Sequence, residues 1–131
     1  MPGAKEITVA FYGRRYPRDD WHYEIDRVQL EYFVVALASE YAPFGIHLEC
    51  RWEEETALEV RGYADLLNTV RLRCPQEGFT NLCLGHVIGA SQNRDLLEDI
   101  RRGVSRIAFA PEMVEPEGES KRVCHNCGCG C

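Results

Sequence analysis

The chain has 131 residues, 45% apolar and 27% charged, with a formal net charge of −6, which suits one globular domain with a tail and a core that needs no disulfides. The acidic balance, and the lack of a basic stripe interleaved with aromatics, excludes nucleic acid as the expected partner. The strongest apolar run, residues 32–38, is too short to span a bilayer, and the opening residues show no basic-then-apolar leader, so no membrane partner and a cytoplasmic location are expected.

Ile7-Thr8-Val9-Ala10-Phe11-Tyr12 is rich in β-branched and aromatic residues and predicts a buried strand ending at Gly13. Residues 13–20 predict a polar loop, broken by Pro17, with Asp19 or Asp20 placed to cap the next helix. That helix is predicted over residues 21–41. Ile25, Val28, Tyr32 and Val35 form one stripe, and Leu30, Phe33, Leu37 and Tyr41 a second, together a wide face for packing on a sheet. Ala42-Pro43-Phe44-Gly45 stops it. Ile46-His47-Leu48-Glu49-Cys50-Arg51-Trp52 then alternates apolar and polar, the period of a half-buried strand. Glu53-Glu54-Glu55-Thr56 breaks the alternation and reads as a solvated loop, or as acids favouring a helix start, ahead of a hard-cation site.

A second helix is predicted from Leu58 or Tyr63 to Leu72, with Tyr63, Leu66, Leu67 and Val70 on one face; Cys74-Pro75 ends it and Gln76-Glu77-Gly78 turns the chain. The apolar runs at residues 79–84 and 87–88, split by Gly85-His86, predict a hairpin. A third helix is predicted over residues 94–102, capped by Ser91 or Asn93, with Arg101 and Arg102 in its last turn and Gly103 at its end. For residues 104–110 the patch Ile107-Ala108-Phe109-Ala110 leaves an edge strand and a helix turn both open. Residues 111–122 are dominated by Pro, Glu and Gly and predict an acidic tether. The expected organisation is a domain over residues 1–110, then a tether and cysteine-rich tail over residues 111–131.

The order strand, helix, strand, helix, hairpin, helix suits a right-handed crossover between two parallel strands, and it resembles the thioredoxin fold. At residue level the hairpin region resembles glutaredoxins and small bacterial thioredoxin-like proteins, in Leu82-Cys83-Leu84, the turn Gly85-His86, Val87-Ile88-Gly89-Ala90, Leu96-Leu97 and Gly103. The resemblance covers residues 6–103 in element order and 79–103 in motif. It implies an α/β fold, a thioredoxin-like mixed sheet flanked by helices, here with a flexible C-terminal tail. Members that exchange disulfides place Cys-x-x-Cys after the first strand, where a helix N-terminus lowers the attacking thiol's pKa; residues 13–21 contain no cysteine. Members also carry a proline just before the hairpin, where the aligned residue here is Thr80. The resemblance thus implies the fold without that chemistry.

The chain has seven cysteines. Cys50, Cys74 and Cys83 sit singly in apolar stretches and are expected to be buried small hydrophobes. Cys124, Cys127, Cys129 and Cys131 instead form a Cys-x-x-Cys-x-Cys-x-Cys cluster, similar to metallothionein-like sequences. The two-residue spacer lets both sulfurs reach one ion, and Gly128 and Gly130 supply the dihedrals of a tight wrap. Four thiolates suit tetrahedral Zn²⁺, and equally Cu⁺ or an iron–sulfur cluster; Lys121 and Arg122 partly offset the charge. The second knuckle of the usual zinc patterns is missing, which leaves an open coordination position or completion by another chain of a homo-oligomer. His125 is either a further nitrogen ligand or a solvated residue.

A redox reading stays open. Cys124 and Cys127 would form a labile disulfide, with Cys129 or Cys131 resolving it or carrying a persulfide, on a tether that raises effective concentration at a partner enzyme. No nucleophile elbow, phosphate loop or paired-acid signature marks an enzyme. Gly13-Arg14-Arg15 with Arg18 is either an anion-receiving loop at a helix N-terminus or a solvated basic loop. His22, His47 and His86 carry no further signal. The expected function is delivery, storage or sensing of a soft metal ion, or support of iron–sulfur assembly, for a client protein or enzyme. The alternatives are a thiol-disulfide or sulfur-relay protein, and an interaction domain whose metal site is structural.

Overall fold

The computed structural model describes residues 5–89, 91 and 93–114. Four strands, β1 (Lys5–Arg15), β2 (Ile46–Glu59), β3 (Val70–Cys74) and β4 (Phe79–Cys83), form one mixed sheet in the order β2-β1-β3-β4. β2 runs parallel to β1, and β3 is antiparallel to both of its neighbours, β1 and β4. The predicted parallel pairing is present, from Ile7 opposite Leu48 to Phe11 opposite Trp52. Among the described residues four helices accompany the sheet: α1 (Arg27–Tyr41), α2 (Tyr63–Asn68), α3 (Leu84–Ile88) and α4 (Leu96–Phe109). None among the described residues is long and apolar enough to cross a membrane.

Strand residues directly opposite one another share a face. Ile7, Val9 and Phe11 therefore lie with Leu48, Val70 and Leu72 on one side, and all six are buried. This is the side on which Leu30, Val34 and Leu37 of α1 and Ile100, Val104 and Ile107 of α4 complete the core. The other face is polar: Thr8, Tyr12, Glu49, Arg51, Glu53, Arg71 and Arg73 surround a buried Ala10. Arg73 bridges it, holding Glu53 with two bonds of 2.7 and 2.8 Å and Asn81 with a third of 3.1 Å. Asn81 in turn donates to the Tyr12 hydroxyl, and the Arg71 guanidinium lies 5.0 Å above the Tyr12 ring.

Several elements differ from expectation, each for a physical reason. α1 starts at Arg27 rather than residue 21, with Asp26 as its cap, accepting from the Gln29 backbone N–H at 2.7 Å. Asp20 is engaged by Arg18 instead. Residues 21–25 alternate between half-buried Trp21, Tyr23 and Ile25 and exposed His22 and Glu24, an extended segment rather than a helical turn. Of the two predicted α1 stripes, Leu30, Leu37 and Tyr41 of the second are buried and Phe33 only partly; Val34, outside both stripes, completes the buried face, while Val28, Tyr32 and Val35 of the first are 73%, 77% and 67% exposed.

β1 runs through Gly13-Arg14-Arg15, the expected loop, and β2 runs through the acidic stretch to Glu59. The join is a bulge. Tyr12 pairs with Glu53 and Gly13 with Ala57, so residues 54–56 have no partner on β1. Gly13 is required there, because a Cβ would sit 2.8 Å from the Glu54 carbonyl oxygen. The three glutamates do not converge on a cation. Glu53 pairs with Arg73 across the polar face, Glu54 pairs with Arg27 of α1 at 3.0 Å, and Glu55 is exposed.

The hairpin lies one element earlier than expected. β3 and β4 form it around the Pro75–Glu77 turn, and the helix predicted to reach Leu72 ends at Asn68. Residues 70–74 alternate strictly between buried and half-buried, so tertiary pairing overrides the helical spacing of Leu66, Leu67 and Val70. Val87-Ile88 is accordingly part of helix α3 and not a strand. With the hairpin shifted, the residue just before it is Thr69, and Thr80 lies inside β4. α4 is capped by Asp95, not Ser91 or Asn93, and runs through Gly103 to Phe109, so residues 104–109 are helix and Ala110 closes it. Gly103 is a packing contact rather than a stop: a Cβ would meet Leu84 Cδ1 at 2.5 Å and Leu72 Cδ1 at 3.0 Å. Lys5 caps the far end of α4, donating to the Ile107 and Ala108 carbonyls at 3.0 Å each. Residues 111–113 then make a single helical turn, and Val114 is buried.

Candidate functional site

The predicted metal ligands Cys124, Cys127, Cys129 and Cys131, with His125 and the flanking Lys121 and Arg122, lie outside the described residues. Among the described residues no group of three or more His, Cys, Asp or Glu side chains is arranged to hold a metal ion. The other cysteines are spread over three strands and no disulfide joins them. Cys74 and Cys83 are buried, as expected, while Cys50 is partly exposed under α1. Burial pushes the Cys50 thiol up to about 11, with Glu31 adding to the effect and Arg27 opposing it. Burial likewise raises the Cys74 thiol. Both are poor nucleophiles near neutral pH, since the thiolate is the reactive form.

Two polar constellations stand out at the end of the sheet where parallel strands β1 and β2 finish. The first is buried between helices. Asp99 of α4 is fully buried and accepts from the Tyr63 hydroxyl at 2.6 Å and from Arg102 Nη1 at 3.3 Å. The Tyr63 phenol is driven well above its usual range, first by burial and then by the Asp99 hydrogen bond and charge. Tyr63 is therefore a permanent donor to Asp99 rather than a proton shuttle. Tyr23 packs beside it, ring centres 5.8 Å apart, and its hydroxyl accepts from the Leu96 backbone N–H. This arrangement ties the segment before α1 to the start of α4.

The second constellation lies under the N-terminal turn of α1. Trp52 stacks on Phe11 at 4.7 Å between ring centres, and the Arg27 guanidinium lies 4.5 Å from its ring centre. Arg14, Trp52 and Thr69 line a small cavity whose apolar wall includes Phe11, Leu30 and Leu96. Three side-chain polar atoms are buried here and nearby without a hydrogen-bond partner: Arg14 Nη1, Trp52 Nε1 and the Tyr16 hydroxyl. Left unmade, each such group costs roughly 1–3 kcal/mol, more for a charged one. Of the basic loop singled out in the sequence, Arg18 is taken up by Asp20 at 2.7 Å, so Arg14 is the member with an unmet donor. Sequence reasoning placed Arg14 in a loop and missed Trp52 as its neighbour. The alternation of residues 46–52 was the one available signal, since it puts Trp52 on the buried side at the end of its run.

No family model, no curated protein and no solved structure matches this chain.

Proposed function

We propose that this chain is a metal- or iron–sulfur-binding accessory protein whose C-terminal thiolates, Cys124, Cys127, Cys129 and Cys131, hold a soft metal ion or cluster for a client protein. The observation that carries the reading is their spacing: four thiols within eight residues, with glycine at 128 and 130. The donor set fits Zn²⁺, Cu⁺ or an iron–sulfur cluster on the chemistry of thiolates. The described cysteines lend support by their unsuitability. Cys74 and Cys83 are buried, and Cys50 is held protonated near neutral pH. The thiol chemistry of the chain then falls to the cluster at its end. Bound metal supplies a delivered or sensed cargo, and Lys121 and Arg122 lower the cost of the thiolate charge.

The body that carries the cluster is read as thioredoxin-like. The strand order β2-β1-β3-β4 and the single antiparallel strand β3 support this reading. So does the element order after the hairpin is moved to residues 70–83.

The test is thiol labelling of anaerobically purified full-length protein before and after removal of metal. Four thiols protected before chelation and fast-reacting afterwards, against a slow background from Cys50, Cys74 and Cys83, supports the metal reading. Four fast thiols, or a Cys124–Cys127 disulfide, in protein that never held metal overturns it in favour of thiol or sulfur relay.

A further inference from the structure

Arg14 and Trp52 each carry a buried donor without a partner, and both residues line the same cavity. Arg14 Nη1 and Trp52 Nε1 are obligate donors, so the absent partner is an acceptor. Both residues line one cavity of about 10 Å³, room for a single oxygen-sized atom. An arginine side chain carries a positive charge across the physiological range, and no carboxylate among the described residues pairs with Arg14. Arg18 is committed to Asp20, Arg27 to Glu31 and Glu54, and Arg73 to Glu53, while Arg15 is exposed to solvent. The cavity wall is apolar at Phe11, Leu30 and Leu96, which strengthens a charged contact made inside it. Tyr12, Arg14 and Trp52 are each only partly buried, so the cavity lies directly beneath the surface.

We propose that this cavity is an oxyanion subsite. One oxygen of a carboxylate or of a phosphate-type anion enters it and accepts from Arg14 Nη1 and Trp52 Nε1, while the rest of the anion stays on the solvent side. The site is independent of the C-terminal cysteines. A water molecule matches the volume but leaves the Arg14 charge without a counter-ion, and that difference is what the experiment reads.

Full-length protein is titrated with inorganic phosphate, and separately with acetate, at constant ionic strength set by sodium chloride. The Trp52 indole N–H resonance is followed, assigned by its loss in Trp52→Phe, with the Trp21 indole as internal reference. The Trp52 signal is expected to move saturably and the Trp21 signal to stay. Saturation by phosphate alone assigns a phosphate-type anion, by acetate alone a carboxylate, and by both a general oxyanion site. Arg14→Gln is expected to weaken the apparent affinity about tenfold or more, and Arg15→Gln, at an exposed neighbour, to leave it unchanged. The proposal is overturned if neither anion moves the Trp52 signal saturably up to about 50 mM, a concentration that detects even weak sites. An unchanged response in Arg14→Gln overturns it equally. Should Arg14→Gln not fold, the wild-type titration still decides.

Discussion

Gly103→Ala is the sharpest test of how α4 meets the sheet. In an exposed helix this change stabilises by about 1 kcal/mol through backbone entropy and propensity. Here the new Cβ would lie 2.5 Å from Leu84 Cδ1 and 3.0 Å from Leu72 Cδ1, and both leucines are fully buried. They have no solvent to retreat into, so the overpacking cost is about 1–3 kcal/mol. The net expectation is a loss of about 1 kcal/mol, read in urea unfolding as a lower midpoint with an unchanged slope. In thermal unfolding the same loss lowers the midpoint by about 4 °C or somewhat more. Leu84→Ala provides the control. Alone it destabilises by about 2–5 kcal/mol, but it removes the atom the new methyl would strike. In that background Gly103→Ala is expected to stabilise, so its sign reverses. A stabilising Gly103→Ala in the wild type, or strictly additive single and double variants, would refute the packing argument.

The polar contacts give two further expected outcomes. Tyr63→Phe removes the 2.6 Å donor to the fully buried Asp99 and leaves it the longer contact to Arg102 at 3.3 Å; a loss of about 1–3 kcal/mol is expected in chemical denaturation, and a change below about 0.5 kcal/mol counts against the contact. Arg73 holds the Glu53 carboxyl below its usual range, chiefly through their hydrogen bonds. A depressed carboxylate adds stability that is present above its unfolded pKa, about 4.3, and is lost as pH falls through the lower folded value. Arg73→Gln should therefore cost about 1–2 kcal/mol at pH 7 for this half-buried pair, and the gap from wild type should close as pH falls below about 4.3. A gap that stays constant down to acid pH contradicts that assignment.

What the sequence disclosed depended on whether a pattern had one physical meaning. The β-branched run at residues 7–12 and the alternation at residues 46–52 admit few readings, and both strands are present in parallel register. Val70 belongs to two patterns at once. It continues the helical spacing of Leu66 and Leu67, and it opens the alternation with Leu72 and Cys74. Only pairing with Phe11 decides between them, and that contact is not local. Gly103 is similar: glycine after Arg101 and Arg102 has the chemistry of a helix end, yet the reason for it lies in Leu84 and Leu72, distant in sequence. The exposed Val28, Tyr32 and Val35 show the converse. Apolar spacing predicts a buried stripe, but one helix face is all that this sheet covers. Arg14 and Trp52 line one cavity although the sequence predicts that β1 ends at Gly13; the three-residue bulge in β2, which Gly13 admits, lets β1 stay extended past it. The thiol cluster is a pattern of spacing in the sequence, and it lies outside the described residues.

The central claim is that Cys124, Cys127, Cys129 and Cys131 bind a soft metal ion or cluster on a body that folds without them. Metal content of anaerobically purified full-length chain, compared with a chain ending at Arg122, tests it most directly. The expected result is bound zinc, copper or iron with sulfide in the full-length protein and none in the shortened one, with both melting at nearly the same temperature because the shortened chain keeps every core residue found among the described residues, Ile7 to Val114. Equal metal in the two proteins, or none in the full-length chain, would contradict the claim, and unfolding of the shortened chain would make the cluster structural instead.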